Sequence, residues 1–431
     1  MRPHALRCKP DASCYVAVCE RGPRTGNAIS PALVEPIQGH GLSTISPMAH
    51  KSQESHGFLR RNAAKLLASV IITAGLVFTL QKGGLTLVPD SEDFASVRWL
   101  AVPAYLVTLA VMSYFRAVRW RFLLRSFAEV SRRRVLAISW IGFAAILLMP
   151  FRIGEIVRPY MLREKGKISM SSATGSVVAE RVVDGLFLST VLAIALVFVP
   201  TVHPLPDTVV GLKISVHQVR TSGFVMLGVF TTAFVTIAVF YFARAWAHKM
   251  TLAVFGIVSR KLAEKLAGTA EKLADGLHFL GNWRDSSGFL VETAIYWGLN
   301  AFGMWILAWG CGVAHGDGSA ITFGESCAIM GMLGCTVLIP GPPGLLGIFQ
   351  AGIYAGMSMY FPKEIVTGPG AAFAFLLYAV QLVWTIGSAG FFLAIDRNAL
   401  KQLSTSPVLS GESEAPSSAA SESDSAASQA A

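Results

Sequence analysis

Charge is what this chain has least of. Of its 431 residues only 14% are Asp, Glu, Lys or Arg, while 53% are hydrophobic and mean hydropathy is +0.53. A soluble globular chain carries about a quarter charged residues, so that class is excluded. Cysteine is sparse too. Cys8, Cys14, Cys19, Cys311, Cys327 and Cys335 contain no C-x-x-C pair, so neither a zinc site nor a disulfide framework is indicated. The nine histidines are scattered, and no metal or other cofactor is expected. There is no serine elbow, no H-E-x-x-H, no Walker A and no G-x-G-x-x-G after a strand. No soluble segment is long enough to fold as an ATPase or synthetase domain.

What is present is a series of apolar runs, several close to the roughly 20 residues a spanning helix needs. The chain therefore reads as an all-α polytopic integral membrane protein. The net charge of +10 sits in loops beside those runs. That is the pattern that orients a membrane protein, not one that points to nucleic acid. Residues 1–47 are read as a disordered or untranslated leader, with Met48 as the expected native start and 48–396 as the membrane domain. Spans are expected near Lys65–Gln81, Trp99–Arg119, Ser169–Val199, Gly223–Ala243, Phe289–Val313 and Ala371–Ile395. Two further apolar runs, Val135–Met149 and Glu325–Ile339, are too short to cross comfortably, and each ends in a break. They are expected to be re-entrant hairpins, the first entered from the inside and the second from the outside. About six spans and two hairpins follow, with both termini in the cytoplasm. Arg260–Leu280 is amphipathic at helical period and is read as an interfacial helix, the alternative being a helix packed on its neighbours. Residues 397–431 are a Ser/Ala/Glu-rich disordered tail. The order span, hairpin, span recurs, which suggests an inverted repeat of the kind found in transporters.

The polar residues inside these runs carry the functional signal, because ionisable groups at bilayer depth are costly and usually paired or functional. The first break, M-P-F-R-I-G-E-I-V-R, carries Arg152, Glu155 and Arg158. The two arginines can grip a phosphate with forked hydrogen bonds, and Glu155 can balance that charge or receive an amine. The bland alternative is a loop of solvated or snorkelling charges. The helix that follows carries A-E-R-V-V-D, with Glu180, Arg181 and Asp184 at inner-leaflet depth. Those residues are either a gate that pairs with Arg152 or Arg158, a proton relay, or a structural ion-pair network. The second break runs from Pro340 to Gln350. Its first five residues are all Gly or Pro, which excludes continuous helix. Pro340, Gly341, Gly344, Gly347 and Gln350 are candidate contacts through exposed backbone amides. The plain alternative is a tight turn.

With Arg116, Arg119 and Trp120, P-F-R-I-G-E-I-V-R, A-E-R-V-V-D and P-G-P-P-G-L-L-G on the page, residues 64–395 resemble the lysylphosphatidylglycerol synthase transmembrane (flippase-like) family. The resemblance implies a stand-alone membrane domain that moves a phospholipid or lipid-linked head group across the cytoplasmic membrane, beside lipid-biosynthesis enzymes. Two positions depart from the family pattern. Gln350 stands where Glu is usual, and Tyr378 is followed by Ala379 instead of Arg, so the outer half of the site is less charged. The aminoacyl-transferase domain of the full-length enzymes is absent from the sequence. The alternative function is a membrane-embedded transferase, with Glu180 or Asp184 as base, or an accessory subunit.

Overall fold

The computed structural model describes residues 88–125, 129–149, 154–162, 170–202, 208–209, 215–257, 259–274, 281–338 and 343–395, together with Ile71, Ala74 and Phe78, which are helical. The leader, Met48, most of the first expected span, Pro150, Arg152, Pro340, Gly341 and the tail from 396 lie outside the described residues. Among the described residues the structure is helical, and its one β feature is a bridge between Ala314 and Ala320.

Beside short 3-10 turns at Ser91–Phe94 and Pro343–Leu345, thirteen α-helices are described. They are α1 (Ala101–Val118), α2 (Trp120–Leu124), α3 (Arg132–Leu148), α4 (Val157–Leu162), α5 (Met170–Phe198), α6 (Val216–Phe242) and α7 (Arg244–Phe255). The series continues with α8 (Arg260–Ala274), α9 (Trp283–Gly310), α10 (Phe323–Val337), α11 (Ile348–Met357), α12 (Lys363–Thr367) and α13 (Pro369–Ile395). Among the described residues four stretches are long and apolar enough to cross a membrane: Ala101–Leu124, Ser172–Phe198, Val216–Phe242 and Lys363–Ile395. α9 is as long, at 28 residues, but Trp297, Asn300, Trp305, Trp309 and its glycines dilute its hydropathy.

Local chemistry accounts for the ends. Ser215 caps α6, accepting from the His217 N–H at 3.2 Å, and Gln218 reaches back to the Ser215 N–H at 3.3 Å. Thr322 and Glu325 form the same reciprocal pair at the start of α10, at 3.3 and 2.8 Å. Each pair satisfies amide donors that a helix N-terminus leaves open. α3 stops at Met149, which is extended at φ −90°, ψ 138°. The next residue is Pro150, and its ring disfavours helical geometry in the residue before it.

The two short helices are each followed by a reversal of the chain, and the reversals are called the inner and outer hairpin after the orientation expected from the sequence. α3 has 17 residues and α10 has 15, or about 25 and 22 Å of helix, against a hydrocarbon core of about 30 Å. The chain turns back after each: α4 packs on α3, and α11 packs on α10. Residues 137–145 of α3 are all buried, and so is most of α11. Interrupted backbone at membrane depth needs this burial in protein. α6 is the opposite case, with only 17% of its apolar window buried.

Two apolar cores are stacked along the long helices. One gathers Tyr105–Met112 of α1, Leu188–Leu196 of α5 and Tyr296–Leu307 of α9 with α10, α11 and α13. The other gathers Trp120–Leu124 of α2, Ala173–Val183 of α5 and Phe289 of α9 with α3, α4, α6 and α7. The polar residues of α1, α5 and α9 fall in the seam between them. α8 packs on α5, α6 and α7 through Ala263 and Ala267, while Leu266 of its apolar stripe stays exposed.

Candidate functional site

Arg119 is the centre of the seam. It ends α1, where the sequence offered it only as the end of an expected span and part of the family resemblance, and it is fully buried. Its guanidinium forks onto Asp184, with Nη1 donating to Oδ1 at 2.6 Å and Nη2 to Oδ2 at 2.7 Å. Nη2 also donates to Glu180 Oε1 at 3.1 Å, and Nη1 to Thr293 Oγ1 at 3.0 Å. The bidentate form is the strongest of the common charge-assisted pairings. Tyr296 lies under the same guanidinium, 4.9 Å from Cζ to the ring centroid.

Glu180 and Asp184 stand one turn apart on α5 and so share a face. Arg158 of the inner hairpin reaches Glu180, with Nη2 2.9 Å from Oε2 as an ion pair without hydrogen-bond alignment. Its guanidinium stacks on Trp120, 4.2 Å from the ring centroid. Arg181 donates to Glu180 Oε1 at 3.2 Å and lies 3.7 Å from Asp184 Oδ2. The Trp297 indole N–H donates to Asp184 Oδ1 at 3.1 Å. Glu155 lies within electrostatic reach of Arg181.

A cavity of about 200 Å³ opens beside this network. Both hairpins bound it: Phe143, Ile146 and Leu147 come from the inner one, and Leu338, Gly344, Leu345 and Phe349 from the outer one. Arg116, Arg181 and Asp184 are its charged lining. At the outer hairpin Gly344 sits at φ +74°, a left-handed conformation that glycine adopts without strain. The Tyr378 hydroxyl donates to the Gly344 carbonyl at 2.8 Å. Tyr378 and Gln381 of α13 also line the cavity, and Gln381 donates to the Tyr105 hydroxyl at 2.8 Å.

The structure sorts the expected site residues. Arg181, Asp184 and Gly344 reach the cavity, while Arg158 and Glu180 are sealed behind it as buried supports. Gly347 and Gln350 are buried away from it. Gln350 Oε1 accepts from the Gly347 N–H at 2.8 Å, so the Gln side chain serves the start of α11. Arg152, Pro340 and Gly341 fall outside the described residues. Residues that sequence reasoning passed over are Arg116, Arg119, Thr293, Tyr296, Trp297, Tyr378 and Gln381 as site members. One signal was available. Arg116 and Arg119 are three apart on an apolar helix, the spacing that puts two side chains on one face.

Comparison with known proteins agrees with this architecture. Residues 65–390 match the model of the lysylphosphatidylglycerol synthase TM region. The chain is also similar to the glycosyltransferase AglD of Haloferax volcanii, 25% identical over 350 residues, which cover 77% of this chain and 55% of AglD. It thus spans about half the length of that relative. No solved structure matches. With three quarters of its length inside one family model, the chain belongs to the lysylphosphatidylglycerol synthase TM region family and is a multi-pass membrane protein.

Proposed function

We propose that this protein moves a lipid-borne head group across the membrane through the cavity between its hairpins. The observation that carries the reading is the cavity itself. Its walls are mostly apolar, both interrupted helices bound it, and Arg116, Arg181 and Asp184 stand in its lining. A polar head group needs such an enclosed polar path, while its acyl tails remain in lipid. Paired interrupted segments flanking one site are the arrangement through which secondary transporters work.

The ion pairs bear on the transferase alternative. Glu180 and Asp184 are each held by guanidinium groups at hydrogen-bonding distance, so neither stands free to take a proton from a substrate. The family and the glycosyltransferase name of the relative support a reading in which this chain works in lipid or glycan biosynthesis.

The test is reconstitution. Purified protein in liposomes with head-group-labelled lipid is exposed to an impermeant quencher. Wild type should render more than the outer-leaflet half of the label accessible, and Arg181→Gln should slow this at least about tenfold, the loss of one charge-assisted contact. Wild type indistinguishable from empty liposomes, with and without an ion gradient, would overturn the proposal.

A further inference from the structure

We infer that the cavity selects an anionic head group, one that bears phosphate and no free amine, and that Arg116 is its main contact. This rests on the head-group reading above and narrows it.

Among the described residues the charges are unbalanced. Arg116, Arg119, Arg158 and Arg181 surround two carboxylates, Glu180 and Asp184. Glu155 is within reach of Arg181 and Glu292 within reach of Arg119, but Glu292 is itself paired to Arg121, so the guanidinium groups stay in excess. Uncompensated charge in a low-dielectric region is unfavourable until a counter-charge arrives. The group that relieves this excess is an anion.

The carboxylates are already engaged. Asp184 is the one acidic residue among the described residues that line the cavity. Its Oδ1 accepts from Arg119 and Trp297, and its Oδ2 accepts from Arg119 and faces Arg181. Glu180 is fully buried among three arginines. An ammonium group entering the cavity would meet Arg116 and Arg181 with no carboxylate left to receive it, and like charges repel strongly where water is excluded.

Arg116 differs from its three neighbours. It lines the cavity and has no carboxylate partner among the described residues. Its guanidinium lies 4.0 Å over the Phe143 ring and 5.9 Å from that of Tyr296. Its Nε is buried without a hydrogen-bond partner among the described residues. Aromatic stacking fixes the plane of the fork, which suits a tetrahedral oxyanion. A phosphate could come from a lipid or from solution. The apolar wall of Ile146, Leu147, Leu188, Leu333 and Val337 favours one attached to an acyl chain.

The experiment uses the full chain in phosphatidylcholine nanodiscs doped equally with phosphatidylglycerol and its lysyl ester, which adds amines to the same phosphate. Lipids retained on the protein are counted by native mass spectrometry. Wild type should retain phosphatidylglycerol at least about tenfold over both other lipids, the scale of one hydrogen bond to a charged group. Arg116→Gln should erase most of that preference, and Arg116→Lys should keep part of it. Arg98→Gln, which removes an exposed arginine stacked on Trp309, should change nothing. Equal or better retention of the lysyl ester overturns the proposal, and this comparison needs no variant. So does an unchanged preference in folded Arg116→Gln. Displacement of the lipid by millimolar inorganic phosphate overturns the lipid assignment in favour of a soluble anion. Retention as expected, with no lipid movement in the quencher assay, would overturn the transport reading and leave this one standing.

Discussion

Asp184 shows how a single carboxylate in this protein serves two ends. It neutralises Arg119 through two short hydrogen bonds, and it shows one edge to the cavity. Removing one partner of a buried pair costs up to about 3–5 kcal/mol, and without Asp184 the Arg119 guanidinium would keep only its single carboxylate contact, to Glu180. Asp184→Leu should therefore lower the unfolding midpoint in detergent clearly. The double variant Arg119→Met with Asp184→Leu should be less destabilised than the two single losses summed, because residues in one network couple. Additive losses would show that the pair is not the unit described. Arg116 is a different kind of residue. It has no ion pair to lose among the described residues, so its replacement should affect ligand retention more than stability.

The elements that organise the site are the two interrupted helices. The inner one is held tightly where it turns back. At Gly154 the backbone comes so close to α3 that an added Cβ would fall on the Ala145 carbonyl. Backbone cannot swing aside as a side chain does. Gly154→Ala should cost about 1–3 kcal/mol, the range for forced overpacking, read as a lower midpoint in thermal unfolding. It should also loosen Arg158, which α4 carries back to Glu180. A neutral Gly154→Ala would mean that the hairpin turns more loosely than described. The outer hairpin is built differently. Its turn uses left-handed backbone at Gly344, Leu345 and Gly347, and a side chain latches it, Tyr378 to the Gly344 carbonyl.

At the scale of the molecule, the packing repeats with the halves exchanged. α3 packs on α13 as α10 packs on α5, α4 packs on α5 as α11 packs on α13, and α1 and α9 pack on each other at the centre. This exchange is the tertiary counterpart of the span, hairpin, span order seen in the sequence. It makes one cavity the joint property of both hairpins. Filling it from either side should have the same result. Leu147→Trp on the inner hairpin and Leu338→Trp at the end of α10 both intrude on a space of about 200 Å³. Each should cut head-group movement at least about tenfold, a barrier increase of only about 1.4 kcal/mol. The unfolding midpoint should shift little, because both leucines are partly exposed to that space. If only one of the two slows movement, the hairpins do not share a path.

Much of this was legible in the residues. Low charge and long apolar runs dictate membrane helices, because backbone polar groups in lipid must bond within their own segment. The prolines at 150 and 340 and the short flanking runs announce chain reversals, since neither run crosses comfortably. The motif A-E-R-V-V-D announces a paired cluster, since charges there cannot stand alone. The sequence by itself thus determined the class, the two breaks and half of the cluster. What the tertiary structure alone decided was partnership. Arg119 looks like any basic residue at a span's end until the α1–α2 junction is set against α5, where Glu180 and Asp184 lie 61 and 65 residues further along the chain. Arg158 and Glu180 look like site residues until packing seals them, and Gln350 until it turns back onto Gly347. One-dimensional spacing places side chains on a face, but which face meets which, and which cation is left unpaired, depends on how the helices cross.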